Sequence, residues 1–247
     1  MDRLVHTSLS ALRGAMARQT ATANNLANAN TVGFRAEIAS ASTLWLRGQT
    51  LESRALASEE VRAADMKPGT ISETGRDLDI ALSGDVLLAV QGPEGDEAYT
   101  RRGDLQRTES GLLTTGDGRP VMGQSGPITL PPADSLKIDE SGRIWIVPPG
   151  GDPNLPQEVD QLRLGSPVGS RIVKHVDGLF RVEGGGALPV DAAARVRSGS
   201  LEGSNVDPTK ALVDMIEASR AWDTQLKLIS TAREIDGSAA DLMRLPD

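Results

Sequence analysis

The chain has 247 residues, and its 26 Lys and Arg against 34 Asp and Glu leave a net charge of −8, which argues against a nucleic-acid surface or an anionic membrane as partner. With two His and no Cys there is no basis for zinc or iron–sulfur centres, disulfides or thiol catalysis, and no cofactor is expected. The length suffices for one large domain or two modest ones with a real core.

Residues 1–35 begin with a long helix. From Asp2 to Ala27 the chain carries Ala, Leu, Met, Arg, Gln, Ser and Thr with one Gly and no Pro, enough for a rod of about 40 Å. Val5, Leu9, Leu12, Met16, Ala23 and Leu26 recur at alternating steps of about 3 and 4, with Gln19 interrupting. Asn24, Asn25, Asn28 and Asn30 cluster at its end and Gly33 follows, residues that stop helices by adopting left-handed angles and making local side-chain bonds. Phe34 is expected to pack back on the helix. The stretch Leu4 to Ala17 is interrupted by His6, Thr7, Ser8, Ser10 and Arg13, so it does not read as a cleavable signal, and no apolar run approaches a membrane span. A cytoplasmic protein, or one exported with its amino terminus uncut, is the expectation, without stable membrane insertion.

Residues 36–69 show no clean period around Leu44, Trp45 and Leu46 and read as an extended connector. From 70 to 198 the period changes to two. Leu78, Ile80 and Leu82 alternate with polar neighbours, and Val86, Leu88 and Val90 do so after the Gly84-Asp85 break. Short strands then recur between Gly-rich turns, and Asp139-Glu-Ser-Gly142 reads as a four-residue hairpin loop between Leu136–Ile138 and Ile144–Ile146. Residues 199–247 close the chain with a second helix. Asp207-Pro208 supplies a capping carboxylate and a proline at the first helical position, and Gly237 is the expected stop. Leu212, Met215, Ser219, Trp222, Leu226 and Ile229 form its seam.

The predicted class is α+β: terminal helices pairing as an antiparallel, coiled-coil-like arm that brackets an all-β central domain. Seams this narrow need a helix to cover them, from the same molecule or a neighbour, which makes an assembling protein the first hypothesis. Chemistry is sparse by comparison. His6 and His175 belong to no ligand or nucleophile motif, and no Gly-x-Ser-x-Gly is present. Gly184-Gly-Gly186 lacks the Lys-Ser/Thr and helix start of a phosphate cradle. Asp77 and Asp79 could be imagined as paired carboxylates, but alternation puts both on the solvent face; Asp139 and Glu140 fit the hairpin loop.

Ala23-Asn-Asn-Leu-Ala-Asn-Ala-Asn-Thr-Val-Gly-Phe-Arg35 resembles the amino-terminal signature of bacterial flagellar rod and hook proteins. Thr74-Gly-Arg-Asp-Leu-Asp-Ile-Ala-Leu82, Tyr99-Thr-Arg-Arg-Gly103 and Gly118-Arg-Pro-Val121 are similar to that family's β-domain hairpins, and Ser200-Leu-Glu-Gly-Ser-Asn-Val-Asp-Pro208 with Met215-Ile-Glu-Ala-Ser-Arg-Ala221 resembles its carboxy-terminal signature. One departure stands out: Val86-Leu87 follows Asp85 where relatives carry Gly and an aromatic residue.

The resemblance implies a non-enzymatic subunit of the basal-body rod, proximal rather than distal, exported unprocessed through the flagellar type III apparatus. Its partners would be other rod subunits and itself, with no nucleic acid and no small-molecule substrate. Val5, Leu9, Leu12, Met16, Leu26, Leu212, Met215, Trp222, Leu226 and Ile229 would pack on each other and on neighbouring subunits. Asn24, Asn25, Asn28, Asn30, Gly33, Phe34 and Asn205 would serve the turns and the subunit contacts. A soluble glycan-binding β module with helical dimerisation arms is the rival reading, and an enzyme the third.

Overall fold

The computed structural model describes residues 2–45 and 55–242. The chain divides into two compact units: one holds residues 1–27, 37–63 and 207–247, the other 28–36 and 64–206.

The first unit contains α1 (Asp2–Ala27), β1 (Glu37–Trp45), β2 (Ala55–Ala64) and α2 (Pro208–Leu242). The segment read as a connector therefore carries a two-stranded ladder of β1 and β2. Its sequence hid this because Ala-Leu-Ala-Ser-Glu-Glu in β2 has helix-forming composition and no alternation. α1 and α2 are neighbours within the unit. Asp207 caps α2 as its sequence predicts, its Oδ1 accepting from Thr209 N at 2.8 Å and Lys210 N at 3.1 Å. Gly237 does not end α2, which runs on to Leu242. One interior glycine costs only about 1 kcal/mol, and the Ser-Ala-Ala-Asp-Leu that follows favours helix.

The second unit is built of short strands: β3 (Ile71–Glu73), β4 (Ile80–Leu82), β5 (Leu87–Gln91), β6 (Glu97–Thr100), β7 (Leu105–Arg107), β8 (Leu113–Thr115), β9 (Ser135–Ile138), β10 (Arg143–Val147), β11 (Gln157–Gln161), β12 (Leu164–Gly165), β13 (Ile172–Lys174), β14 (Phe180–Val182), β15 (Val196–Ser198) and β16 (Ser200–Glu202). Its largest sheet has the order β12-β5-β6-β14-β13, and β11-β10-β9 form a three-stranded sheet. All pairings given for this unit are antiparallel; β15 pairs with β4 and β16 with β3, so the carboxy-terminal strands close on the first strands of the unit.

Strand β5 is buried on both faces. Leu88 and Val90 enter the main core with Ile80, Leu105, Leu113, Val121, Ile128 and Ile144, while Leu87 and Ala89 enter a second core with Tyr99, Phe180 and Leu188. A strand between two cores reads as a continuous apolar run, which explains Leu87 where alternation expects a polar residue. The departure after Asp85 is resolved upstream: Gly84 takes the positive φ of 67°, so Val86 enters the core at a β-compatible position. Asp79 corrects the alternation reading. It is buried, accepts from Thr74 Oγ1 at 2.7 Å and lies 3.6 Å from Arg76, while Asp77 is exposed. The Asp139–Gly142 hairpin follows expectation: Asp139 Oδ1 accepts from Ser141 N and Arg143 N, and its Oδ2 accepts from Trp145 Nε1 at 3.1 Å.

Candidate assembly site

Two arrangements stand out, one in each unit. In the β-rich unit, residues 28–36 dock through a buried ionic knot. Glu202, at the end of β16, is 1% exposed, as is Arg35; Arg101, just past β6, is 2% exposed. Glu202 Oε1 accepts from Arg35 Nη2 at 2.7 Å and from Gly69 N at 2.9 Å. Its Oε2 accepts from Arg101 Nε at 3.0 Å and Nη2 at 2.5 Å. Two guanidiniums on one carboxylate leave excess positive charge, which the carbonyls of Leu82, Gly84 and Val86 offset by accepting from Arg101 at 2.6 to 2.8 Å. Burial lowers the Arg101 pKa from its ordinary value, opposed by Glu202.

The backbone reinforces this. Gly33, at φ 66°, donates to Glu202 O at 2.7 Å, and a Cβ there would run into the Arg101 carbonyl. Asn205 works as a staple: its Oδ1 accepts from Ala36 N at 2.7 Å, and its Nδ2 donates to Asp65 O at 2.8 Å and Lys67 O at 3.0 Å. Phe34 meets Lys174 of this unit, whose Nζ lies 3.6 Å from its ring centroid and donates to Arg35 O at 2.9 Å. Gly33, pressed against the Arg101 backbone, is one residue away and holds Phe34 in place.

The Asn cluster divides its tasks. Asn25 clamps the Glu37 backbone in both directions, at 2.7 and 2.9 Å, and Asn24 Nδ2 donates to Glu37 Oε1 at 2.6 Å. Asn28 closes the turn by accepting from Thr31 N and Oγ1, each at 3.1 Å, and Asn30 is exposed.

The second arrangement is the terminal helices. Among the described side chains of α1 the buried residues are small: Gly14, Ala15 and Ala21. Met16 is 53% exposed, Ala23 is exposed, and Leu12 and Leu26 are half-buried. Val5 and Leu9 belong to α1, but their side chains lie outside the described residues. On α2 the least exposed positions are Ala211, Met215, Ala218, Trp222, Gln225, Ile229 and Ala232, an unbroken alternation of steps of 4 and 3. Met215, Trp222 and Ile229 belong to the expected seam; Leu212, Ser219 and Leu226 are displaced to its flank and exposed. At each ambiguous step the helix offers a larger and a smaller residue, and the structure covers the smaller.

The knot's three members escaped the sequence reading because nothing local couples them; Arg35 and Glu202 are 167 residues apart. The available signal was three charges inside otherwise apolar or glycine-rich segments. Among the described residues, no cluster of three or more His, Cys, Asp or Glu could hold a metal ion, and no helix is long and apolar enough to cross a membrane.

Three family models match: residues 6–35 match the flagella basal body rod protein, 81–146 the flagellar hook protein FlgE/F/G D1 domain, and 197–242 the flagellar basal body rod FlgEFG protein C-terminal region. The chain belongs to the flagellar basal-body rod protein family. It is 39% identical to the flagellar basal-body rod protein FlgF of Salmonella typhimurium, over 99% of this chain and 100% of that protein, and 38% identical to FlgF of Escherichia coli over the same shares. It is also 28% identical to FlgG of Bacillus subtilis, over 99% of this chain and 100% of that protein. Each matched segment contributes one member of the knot: Arg35, Arg101 and Glu202.

Proposed function

We propose that this chain is a structural subunit of the proximal part of the flagellar basal-body rod, incorporated through its terminal helices and serving no reaction of its own. The observation that carries the reading is full-length similarity to rod proteins in a chain whose two terminal helices hold large apolar residues out of its own core. Leu212, Val213, Ile216, Leu226, Leu228 and Ile235 are each 45% exposed or more, on several sides of α2. Large apolar side chains left exposed along a helix mark a surface that neighbours bury. Burial is worth about 1.5 to 3 kcal/mol for each large side chain, so a few such contacts offset the ordering of long terminal helices.

Its partners are then other rod subunits and further copies of itself, and its location the basal body, reached through the flagellar type III apparatus without signal cleavage. The α1–α2 pair forms a coiled-coil-like arm, with Met215, Trp222 and Ile229 in its seam. Asn24, Asn25, Asn28, Asn30, Gly33, Phe34 and Asn205 fix the turns that set where the chain enters and leaves the β-rich unit, and Asn30 is free to contact a neighbour. The test is fractionation of intact basal bodies from the source bacterium, probed for this chain. Co-purification with the rod and loss of swimming on deletion of the gene are expected; a chain found only in the soluble fraction of a normally motile cell would overturn the reading.

A further inference from the structure

We propose that Glu202 and Asn205 form a force-carrying clamp, which ties together the segments by which the chain enters and leaves the β-rich unit. A pull on the two ends of the chain is then borne by one buried junction. This rests on the rod-subunit reading, since a subunit of a shaft works under load, and adds which bonds carry that load.

The β-rich unit is made of residues 28–36 and 64–206, so segments 33–36, 65–70 and 202–205 lie beside its points of entry and exit. Each is bonded to the other two. Segment 202–205 holds the first of them through Gly33 N donating to Glu202 O at 2.7 Å, Asn205 N to Phe34 O at 3.3 Å, Ala36 N to Asn205 Oδ1 at 2.7 Å, and the Arg35–Glu202 pair. It holds the second through Gly69 N donating to Glu202 Oε1 at 2.9 Å, Gly203 N to Thr70 O at 2.8 Å, and Asn205 Nδ2 to the Asp65 and Lys67 carbonyls. Asp65 N donates to Ala36 O at 2.8 Å and closes the triangle. Arg101 anchors the group in the unit, because its guanidinium binds Glu202 and also the carbonyls of Leu82, Gly84 and Val86. Connections at the edge of a compact unit are ordinarily flexible and cross few contacts. Here they are the most densely bonded place in the chain's path.

Direction decides how such a junction fails. The contacts Gly33–Glu202, Phe34–Asn205 and Ala36–Asn205 advance together in residue number, so the two segments run the same way. The amino-terminal side of the chain therefore leaves this pairing at one end and the carboxy-terminal side at the other. Pulling the ends apart loads the bonds in shear, and they must break together. Antiparallel segments would peel one bond at a time. Arg35 and Glu202 are each 1% exposed, so any slip leaves a guanidinium and a carboxylate unpaired and out of reach of water.

The test holds the full-length chain by its two ends in an optical trap. The terminal helices should extend first, and the β-rich unit should open last, in one step that frees the 167-residue span from Arg35 to Glu202, about 550 to 600 Å of chain. On this route the junction breaks while the core is still intact, so junction variants speed opening at constant force and core variants do not. Asn205→Ala is expected to raise the opening rate about tenfold or more and Glu202→Gln further, while Tyr99→Phe stays within about threefold of the parent even though it lowers the urea midpoint.

Equal opening rates for the parent and Asn205→Ala, as large a rise from Tyr99→Phe, or opening in many small steps overturns the clamp. The trap needs no flagellum, so any of these leaves the rod-subunit reading standing. A parent chain absent from isolated basal bodies overturns that reading, and with it the shaft as the source of the load.

Discussion

The two units solve opposite problems. At the centre of the β-rich unit the Glu202 carboxylate receives four donors, and the Leu88–Val90 strand has cores on both sides. The terminal helices leave large apolar side chains exposed while burying Gly14, Ala15, Ala21 and Ala211. The first pattern belongs to a body that folds by itself, the second to a surface finished by another molecule.

The sharpest way to break that contrast is to open the knot. Glu202→Ala leaves two buried guanidiniums facing each other and should cost about 3 to 5 kcal/mol, read as a drop in urea midpoint of the isolated chain. Gly33→Val should come next, at about 2 to 4 kcal/mol, because valine meets both a positive φ and the Arg101 backbone. A loss below about 1 kcal/mol for both would mean that residues 28–36 are not integral to the β-rich unit.

Tyr99→Phe probes the smaller core. Tyr99 Oη donates to Glu97 Oε1 and accepts from Leu188 N, both at 2.6 Å, so the variant strands a buried amide at a cost of about 1 to 2 kcal/mol. Burial, with Glu97 adding to it, pushes the Tyr99 pKa up to about 12. The parent should therefore lose stability as pH rises above the ordinary value of 10.0, and the variant should lack that part of the alkaline decline.

Legibility followed the same division. The Asp139–Gly142 hairpin and the Asp207-Pro208 cap could be read directly, because each is closed by bonds within a few residues. The α+β class and the helical ends were legible from period alone. What sequence did not give were features decided at a distance: the Arg35–Glu202–Arg101 knot, the burial of Asp79, the contact of Phe34 with Lys174, and the β1–β2 ladder. The helix seams were half legible for another reason. Both α1 and α2 offer more than one 3-and-4 ladder, and periodicity cannot say which is covered inside the chain.

A smaller effect belongs to the Arg181 cluster, where one guanidinium binds Asp96 at 2.6 Å and Asp177 at 2.9 Å. The hydrogen bond from Arg181 is the main cause that lowers the Asp96 pKa below its ordinary 3.8. A depressed carboxylate contributes stability above its unfolded value and loses it as pH falls through the folded one. The gap in urea midpoint between the parent and Asp96→Asn should thus hold from neutral pH to about 4.5 and close below it. A gap unchanged in stronger acid would show that ionised Asp96 adds nothing.

The smallest effect on folding carries the largest consequence for assembly. Leu226→Asp places a charge on an exposed flank of α2, where surface substitutions fall within about 0.5 kcal/mol, so thermal and urea unfolding of the isolated chain should barely move. Incorporation into basal bodies should nevertheless collapse, since a carboxylate trapped under an apolar neighbour without a cation costs several kcal/mol and is repeated in every copy of the shaft. Met16→Asp should behave alike from the other helix. Were either variant to fold and assemble like the parent, the exposed apolar lines would be ordinary surface, and the contrast between a closed body and an unfinished pair of helices would lose its meaning.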